Sequence, residues 1–278
     1  MSVKTCIIVC GATAVGKTSY AIELARKYET EIISADSRQC YKELEIGVSR
    51  PTPSQLASVH HYFIASHSIF DEVNVKAFET YALAAVEEIF KKNDVAIIAG
   101  GTGLYIQAFI KGLDEMPRSN TQMRQEITQK YREQGMEWLQ NEIKQKDPVF
   151  FREGEIQNPQ RCIRALEVFM LTGRSILSLH SSQKKKRDFE VQKINLQISR
   201  TELYGRIDAR MDEMMQNGLL DEAKSLYRHR ALNALNTVGY KELFEYFDGR
   251  KSLAQAVEEI KKNTRHYAKR QITWFNSH

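Results

Sequence analysis

The stretch CIIVCGATAVGKTSYAIELARKY, residues 6–28, constrains the chain more than any other. An apolar run leads into Gly11, four residues intervene before Gly16, Lys17 and Thr18 follow, and an amphipathic run begins at once. This is G-x-x-x-x-G-K-[ST] in its required setting, with a strand before it and a helix after it. Glycines let backbone N–H groups curl around phosphate oxygens, and the helix N-terminus adds partial positive charge. The lysine contributes a point charge, and the threonine hydroxyl is suited to hold magnesium. Gly11, Ala12, Thr13, Ala14, Val15, Gly16, Lys17 and Thr18 are therefore read as a phosphate or diphosphate site, with Thr18 as the metal ligand.

The same segment sets the fold class. Residues 3–9 predict a buried strand and residues 17–28 a helix, with Ala21, Ile22, Leu24 and Ala25 on a helical period. EIISADS (31–37) and DVAIIAGGTG (94–103) predict two more strands, separated by a helix over 75–92. Alternating strands and helices imply an α/β fold, a P-loop NTPase-like parallel sheet flanked by helices, whose ligands bind beyond the carboxyl ends of its strands. After Pro117 the strand signals thin out and helical ones take over, so a smaller helical insertion domain is expected over 118–189. The catalytic core would then be 1–117 and 190–278. QKKKRDFE (183–190) reads as a solvated charged linker and VQKINLQISR (191–200) as a returning strand, with a mostly helical remainder.

Composition narrows the partners only a little. Lys plus Arg number 40 against 35 Asp plus Glu, a net charge of +5 that does not by itself imply nucleic acid. No apolar run approaches a membrane span, and the N-terminal strand turns into a glycine loop where a signal peptide would need a cleavage site. A cytoplasmic protein is expected. Cys6, Cys10, Cys40 and Cys162 show no metal-binding register and are read as reduced structural thiols. His60 and His61 are adjacent, with no third ligand evident, and are read as ordering a loop beneath the site.

An ATPase or GTPase normally places an acid after a later apolar strand to hold its magnesium. Here that strand, VAIIAGG, ends in glycines, and the acid comes earlier, at Asp36 in ISADS. Such a carboxylate orients magnesium, takes a proton from a nucleophile, or simply caps a helix. The residues alone leave all three open.

A wider set of segments carries a resemblance. GATAVGKT, SADSRQCYKELEIGVSRP, HHYF, AGGTGLY, PQRCIRALEV, VGYKEL and AKRQITWF occur in an order and spacing that strongly resemble the bacterial tRNA dimethylallyltransferases, from about residue 4 to residue 276. The resemblance implies transfer of a dimethylallyl group from dimethylallyl diphosphate to N6 of the adenosine 3′ of certain tRNA anticodons, with magnesium required and diphosphate released. The phosphate loop would then grip a leaving group. By the same resemblance Lys17, Thr18 and Arg210 serve the diphosphate and Asp36 is the general base. Asp36, Ser37, Arg38, Gln39, Thr102, Gln160, Arg161, Cys162, Ile163 and Arg164 meet the anticodon stem-loop, partly through the insertion domain, and the enzyme acts as a monomer.

Structural readings compete at several of these positions. Arg210 could form a surface ion pair with Asp212 or Glu213, and Arg164 could pair with Glu167. The basic run Lys261, Lys262, Arg265, Lys269 and Arg270 suits an RNA backbone or a solvated face. Three positions depart from the pattern: Ala12 where proline is frequent, the bulkier Val15 before Gly16, and Asn158 where an acid is usual. The rival functions are an ATP-dependent P-loop kinase, an adenylate isopentenyltransferase acting on free nucleotides, and a noncatalytic RNA-binding module.

Overall fold

The computed structural model describes residues 3–180 and 185–277, so Gln183 and Lys184 of the expected linker lie outside the described residues. The chain divides into two compact units, a larger one formed up to Lys111 and again from Lys186, and a smaller one from Gly112 to Lys185. These boundaries fall a few residues before the 117/118 and 189/190 positions expected from sequence. The reason is local, because Arg187 and Phe189 are anchored in the larger unit. Arg187 donates to the carbonyls of Phe109 (2.8 Å) and Ala108 (3.0 Å) and pairs with buried Glu79 at 3.0 Å, while Phe189 stacks on Phe109. Its side chain is thus no part of a solvated linker. Burial opposes the charge of Glu79, yet hydrogen bonds from Lys76 and Arg187 hold its carboxyl below the ordinary value.

In chain order the larger unit begins with β1 (Thr5–Gly11), α1 (Lys17–Lys27), β2 (Ile32–Ser34), α2 (Pro53–Ser58), β3 (His61–Tyr62), α3 (Val75–Phe90), β4 (Val95–Gly100) and α4 (Gly103–Lys111). The smaller unit holds α5 (Thr121–Lys146), α6 (Pro148–Glu153) and α7 (Pro159–Thr172). The chain then returns through β5 (Glu190–Leu196), α8 (Arg200–Gln216), α9 (Leu219–Leu226), α10 (Tyr240–Phe247) and α11 (Leu253–Ser277).

All five strands are parallel, in the order β3-β2-β4-β1-β5. Position in the sheet explains the sequence pattern of each. Central β1 is covered on both faces and is apolar almost throughout, whereas edge strand β5 alternates and stays partly exposed. On one face Cys6, Ile8, Cys10, Ile33 and Ile98 join Phe78, Phe109 and the C-terminal helices. On the other, Ile7, Val9, Ile32 and Ile97 meet Ala21, Ile22 and Ala25 of α1. The four cysteines are free and buried, and burial alone pushes the Cys6 thiol up to about 12, which leaves it inert.

β1 starts and ends two residues later than the expected 3–9 and β4 ends at Gly100, short of 103; the other three strands differ for local reasons. β2 stops at Ser34 because Asp36 turns the chain, its Oδ1 accepting the amides of Arg38 and Gln39. β5 stops at Leu196, and Ser199 caps α8 by accepting the Glu202 amide. β3 is a two-residue edge strand within VHHYF that no period of two announces. In the smaller unit Ile127, Leu139, Ile143, Phe150, Cys162, Ile163 and Leu166 form a separate core, with α5 broken at Gly135. No helix among the described residues is long and apolar enough to cross a membrane.

Candidate active site

The sheet order brings the ends of β2, β4 and β1 side by side, so the phosphate loop, the AGGTG turn and Asp36 share one crevice in the larger unit. Gly16 adopts φ +104° as it caps α1, a conformation that side chains resist, and the first amides of the helix are left pointing outward. Lys17 Nζ donates to the Ala12 carbonyl at 2.7 Å and so lies back across its own loop. Burial lowers its pKa to about 8, with Asp36 opposing and the Arg210 charge adding to the fall.

Arg210 projects from α8 onto the loop. Its Nη1 donates to Thr13 Oγ1 at 3.1 Å and to Ser49 Oγ at 3.2 Å. Burial depresses its pKa and nearby Glu213 opposes that shift. It is therefore not part of a surface pair, and Asp212 bonds Lys261 at 2.7 Å instead. Leu203, Ile207 and Met211 form the buried stripe of the same helix, and Arg206 turns to Glu202 at 2.7 Å.

Asp36 divides its two oxygens. Oδ1 caps the following turn through the amides of Arg38 (2.8 Å) and Gln39 (3.3 Å), while Oδ2 has no hydrogen bond among the described residues. The turn is fixed from the next strand over, where Thr102 Oγ1 accepts the Ser37 amide at 3.1 Å. The capping role and a chemical role thus coexist on one carboxylate.

Two cavities meet here. One, of about 650 Å³, is lined by the phosphate loop, Lys17, Thr18 and Arg50. The other, of about 500 Å³, has an apolar wall of Ile207, Met211, Leu219, Val238 and Ile260. They share Thr13, Asp36, Val48, Ser49, Arg210, Met214 and Tyr267. A phosphate-bearing molecule entering on one side would meet, at Asp36, a second molecule entering on the other.

Several residues expected to touch RNA are committed elsewhere. Arg38 spends its guanidinium on the carbonyls of Asn233 (2.9 Å), Ala234 (3.2 Å) and Asn236 (3.4 Å), bracing a wall of the second cavity. Gln39 donates to the carbonyls of Val48 (3.2 Å) and Ser49 (2.8 Å). Cys162 and Ile163 are buried in the core of the smaller unit, so their side chains present nothing to a macromolecule. Arg164 pairs with Glu167 at 2.9 Å and donates to the Pro117 carbonyl at 2.7 Å, the structural alternative. Of that run Gln160 and Arg161 remain exposed, the latter paired with Glu155. Along α11, Lys261 and Arg265 are held by Asp212 and Asp208, leaving Lys262, Lys269 and Arg270 exposed. His61 bonds the Val59 carbonyl at 2.8 Å and His60 packs edge-on to Tyr62, so both order the sheet edge and not a loop beneath the site.

Other site residues were not foreseen. Ser49 anchors Arg210, and the loop carrying it is gripped by Glu222 of α9. That carboxylate accepts the amides of Glu45 (3.0 Å), Ile46 (2.8 Å) and Gly47 (2.9 Å) and the hydroxyl of Tyr240 (2.6 Å). Gln271 and Tyr267 of α11 reach the two glycine turns. The signal for Gln271 lay in AKRQITWF, whose small, polar and aromatic residues recur at helical spacing, with Tyr267 just before it.

Residues 39–278 match the model of the IPP transferase family. The chain is 46% identical to a tRNA dimethylallyltransferase of Christiangramia forsetii over 97% of its own length and 89% of the relative's. It is 43% identical to tRNA dimethylallyltransferase 1 of Bacteroides fragilis, covering 99% and 91%. A crystal structure of a tRNA isopentenylpyrophosphate transferase from Bacillus halodurans superposes with a TM-score of 0.71 at 33% identity, over 99% of this chain and 88% of that one. A eukaryotic dimethylallyltransferase acting on tRNA gives 0.80 at 27% identity, over 98% and 69%.

Proposed function

The chain belongs to the IPP transferase family, and from that premise we propose that it moves a dimethylallyl group from dimethylallyl diphosphate to N6 of an adenine in a tRNA anticodon loop, releasing diphosphate. The observation that carries the reading is the junction of two cavities at Asp36 and Arg210, one lined by the phosphate loop and the other apolar along one wall.

The steps follow from the residues. The allylic C–O bond breaks and its electron pair stays on the diphosphate. Lys17, Arg210 and the outward amides of Gly16, Lys17 and Thr18 meet that growing charge, and such preorganised donors act more strongly in the transition state than in the ground state. The N6 lone pair forms the new bond to the allylic carbon, and the proton it sheds passes to Asp36 Oδ2, the oxygen left without a hydrogen bond. Adenine N6 is a weak nucleophile because its lone pair is delocalised into the ring, so proton removal is where a base helps; general base catalysis contributes roughly 10²–10⁴-fold.

The chain's residues fit magnesium of the kind that substrate phosphates hold. Thr18 Oγ1 makes no hydrogen bond among the described residues and lines the loop cavity, and no cluster of three His, Cys, Asp or Glu residues forms a closed metal cage there. Bound beside Thr18, the ion would neutralise diphosphate charge. The target base must leave its stack to reach Asp36. Ser37 and Thr102 at the crevice, Lys262, Lys269 and Arg270 on α11, and Gln160 and Arg161 on α7 are the side chains we assign to RNA contact.

The test is mass analysis of nucleosides from tRNA lacking the modification, incubated with the protein, magnesium and dimethylallyl diphosphate. The expected result is an adenosine heavier by one dimethylallyl group, dependent on donor and RNA. Modification of AMP in place of an anticodon stem-loop would move the function to free nucleotides. Phosphoryl transfer from ATP with the allylic donor unused would overturn it.

A further inference from the structure

The second glycine turn has an unexpected occupant. Along one face of α11, Tyr267, Gln271 and Trp274 recur at i, i+4 and i+7, the spacing that aligns side chains on a helix. Each meets a successive part of the turn after β4. Tyr267 lies beside Thr102, the Gln271 amide reaches Gly101, and the Trp274 indole covers Gly103. A Cβ on Gly101 would collide with Gln271 Nε2, and one on Gly103 with the Trp274 ring.

Gln271 reaches further than its neighbours. It is buried, 6% exposed, and both ends of its side-chain amide are used. Oε1 accepts the Thr13 amide of the phosphate loop at 2.8 Å, and Nε2 donates to the Gly101 carbonyl at 2.9 Å. The loop and the turn belong to β1 and β4, so the two hydrogen bonds tie together the ends of adjacent strands. Each end is then coupled to a reacting group. Thr13 Oγ1 accepts from Arg210, and Thr102 Oγ1 holds the Ser37 amide next to Asp36.

We propose that Gln271 is a positioning residue for prenyl transfer: through Thr13 and Gly101 it fixes the cradle of the departing diphosphate relative to the turn after β4, against which Thr102 holds the turn that carries the Asp36 base. The proposal rests on the function assigned above. Gln271 stands at the margin of the loop cavity, but both ends of its amide are engaged by the protein. Its effect is on registration of the leaving group with the base, which matters because small misplacements of reacting groups cost rate steeply.

The test compares Gln271→Met, which keeps length and shape and removes both hydrogen bonds, with Gln271→Glu, which keeps the acceptor for the Thr13 amide and loses the donor to Gly101. The wild-type protein must first modify the anticodon stem-loop; inactivity there refutes the function and not the positioning role. With active wild type, Gln271→Met is expected to lower kcat about 10- to 100-fold while KM for each substrate stays within about threefold. Gln271→Glu should fall between the two. A structural role alone would lower the melting temperature and leave kcat of the folded fraction unchanged, and that result overturns the proposal. Should Gln271→Met fail to fold, Gln271→Glu decides alone: a wild-type kcat overturns the proposal, and a reduced kcat with unchanged KM supports it.

Discussion

Two glycine-rich turns stand side by side at the carboxyl end of the sheet, and they use glycine differently. In GATAVGKT, Gly11 and Gly16 adopt positive φ, which bends the backbone until amides and Lys17 face an open cavity. In AGGTG, Gly100, Gly101 and Gly103 have no such φ. They are small because the Ala35 carbonyl, Gln271 and Trp274 press directly on them. Both turns line the loop cavity, but the first bends its backbone toward it and the second is backed closely by the protein. Composition at a strand end therefore separates binding from packing only once the backbone angle and the occupant are known.

The proposed function puts chemistry at the first turn and its neighbour Asp36, and support at the second. It breaks most clearly at Asp36→Asn. That change should leave melting and tRNA binding nearly as they are and lower single-turnover transfer by roughly 10²–10⁴-fold. A rate close to wild type would remove the carboxylate from the base role. Next, Arg210→Ala should cost about 10²–10³-fold in kcat/KM for the allylic donor, as loss of one preorganised charge contact does. An effect on RNA affinity alone, measured by filter binding, would reassign the residue.

The supporting turn should respond differently. Gly103→Ala forces a Cβ into the Trp274 ring, and overpacking of this kind costs about 1–3 kcal/mol, read as a lower denaturation midpoint. A variant with unchanged stability would show that α11 is not seated there. The smallest effect is on pH dependence. Lys17 has its pKa lowered to about 8 by burial, so its charge is lost as pH rises through that value. kcat/KM for the donor should then fall by about tenfold per unit on the alkaline side, a limb that Lys17→Ala lacks. Between pH 8 and the ordinary lysine value of 10.5 the folded state binds fewer protons than the unfolded one, so this group's contribution to stability rises with pH across that window.

What could be read from the sequence follows from how local each feature is. The phosphate loop was legible because one short segment contains every group it needs. Asp36 was legible as an exposed acid at a strand end. Arg210 required the family pattern, since its partners Thr13 and Ser49 lie 197 and 161 residues away. Gln271 was missed for the same reason, with 258 residues between it and Thr13. Arg38 and Arg164 came to the RNA set through the family resemblance. The Glu167 partner of Arg164 was legible as an i,i+3 pair, whereas the distant carbonyls that engage Arg38 were not. An arginine census overstates a nucleic acid surface until such internal partners are subtracted.

The strand order has one more consequence. β4 lies between the strand that ends in the phosphate loop and the strand that leads to Asp36, so those two strand ends stand two inter-strand steps apart, about 9–10 Å. Main-chain pairing sets this strand spacing, and side-chain contacts such as those of Gln271 set the finer registration within it. Evolving such a scaffold toward a longer isoprenoid would thus have to lodge the extra carbons sideways, among Met211, Met214 and Leu219, while leaving the reacting ends where the sheet has put them.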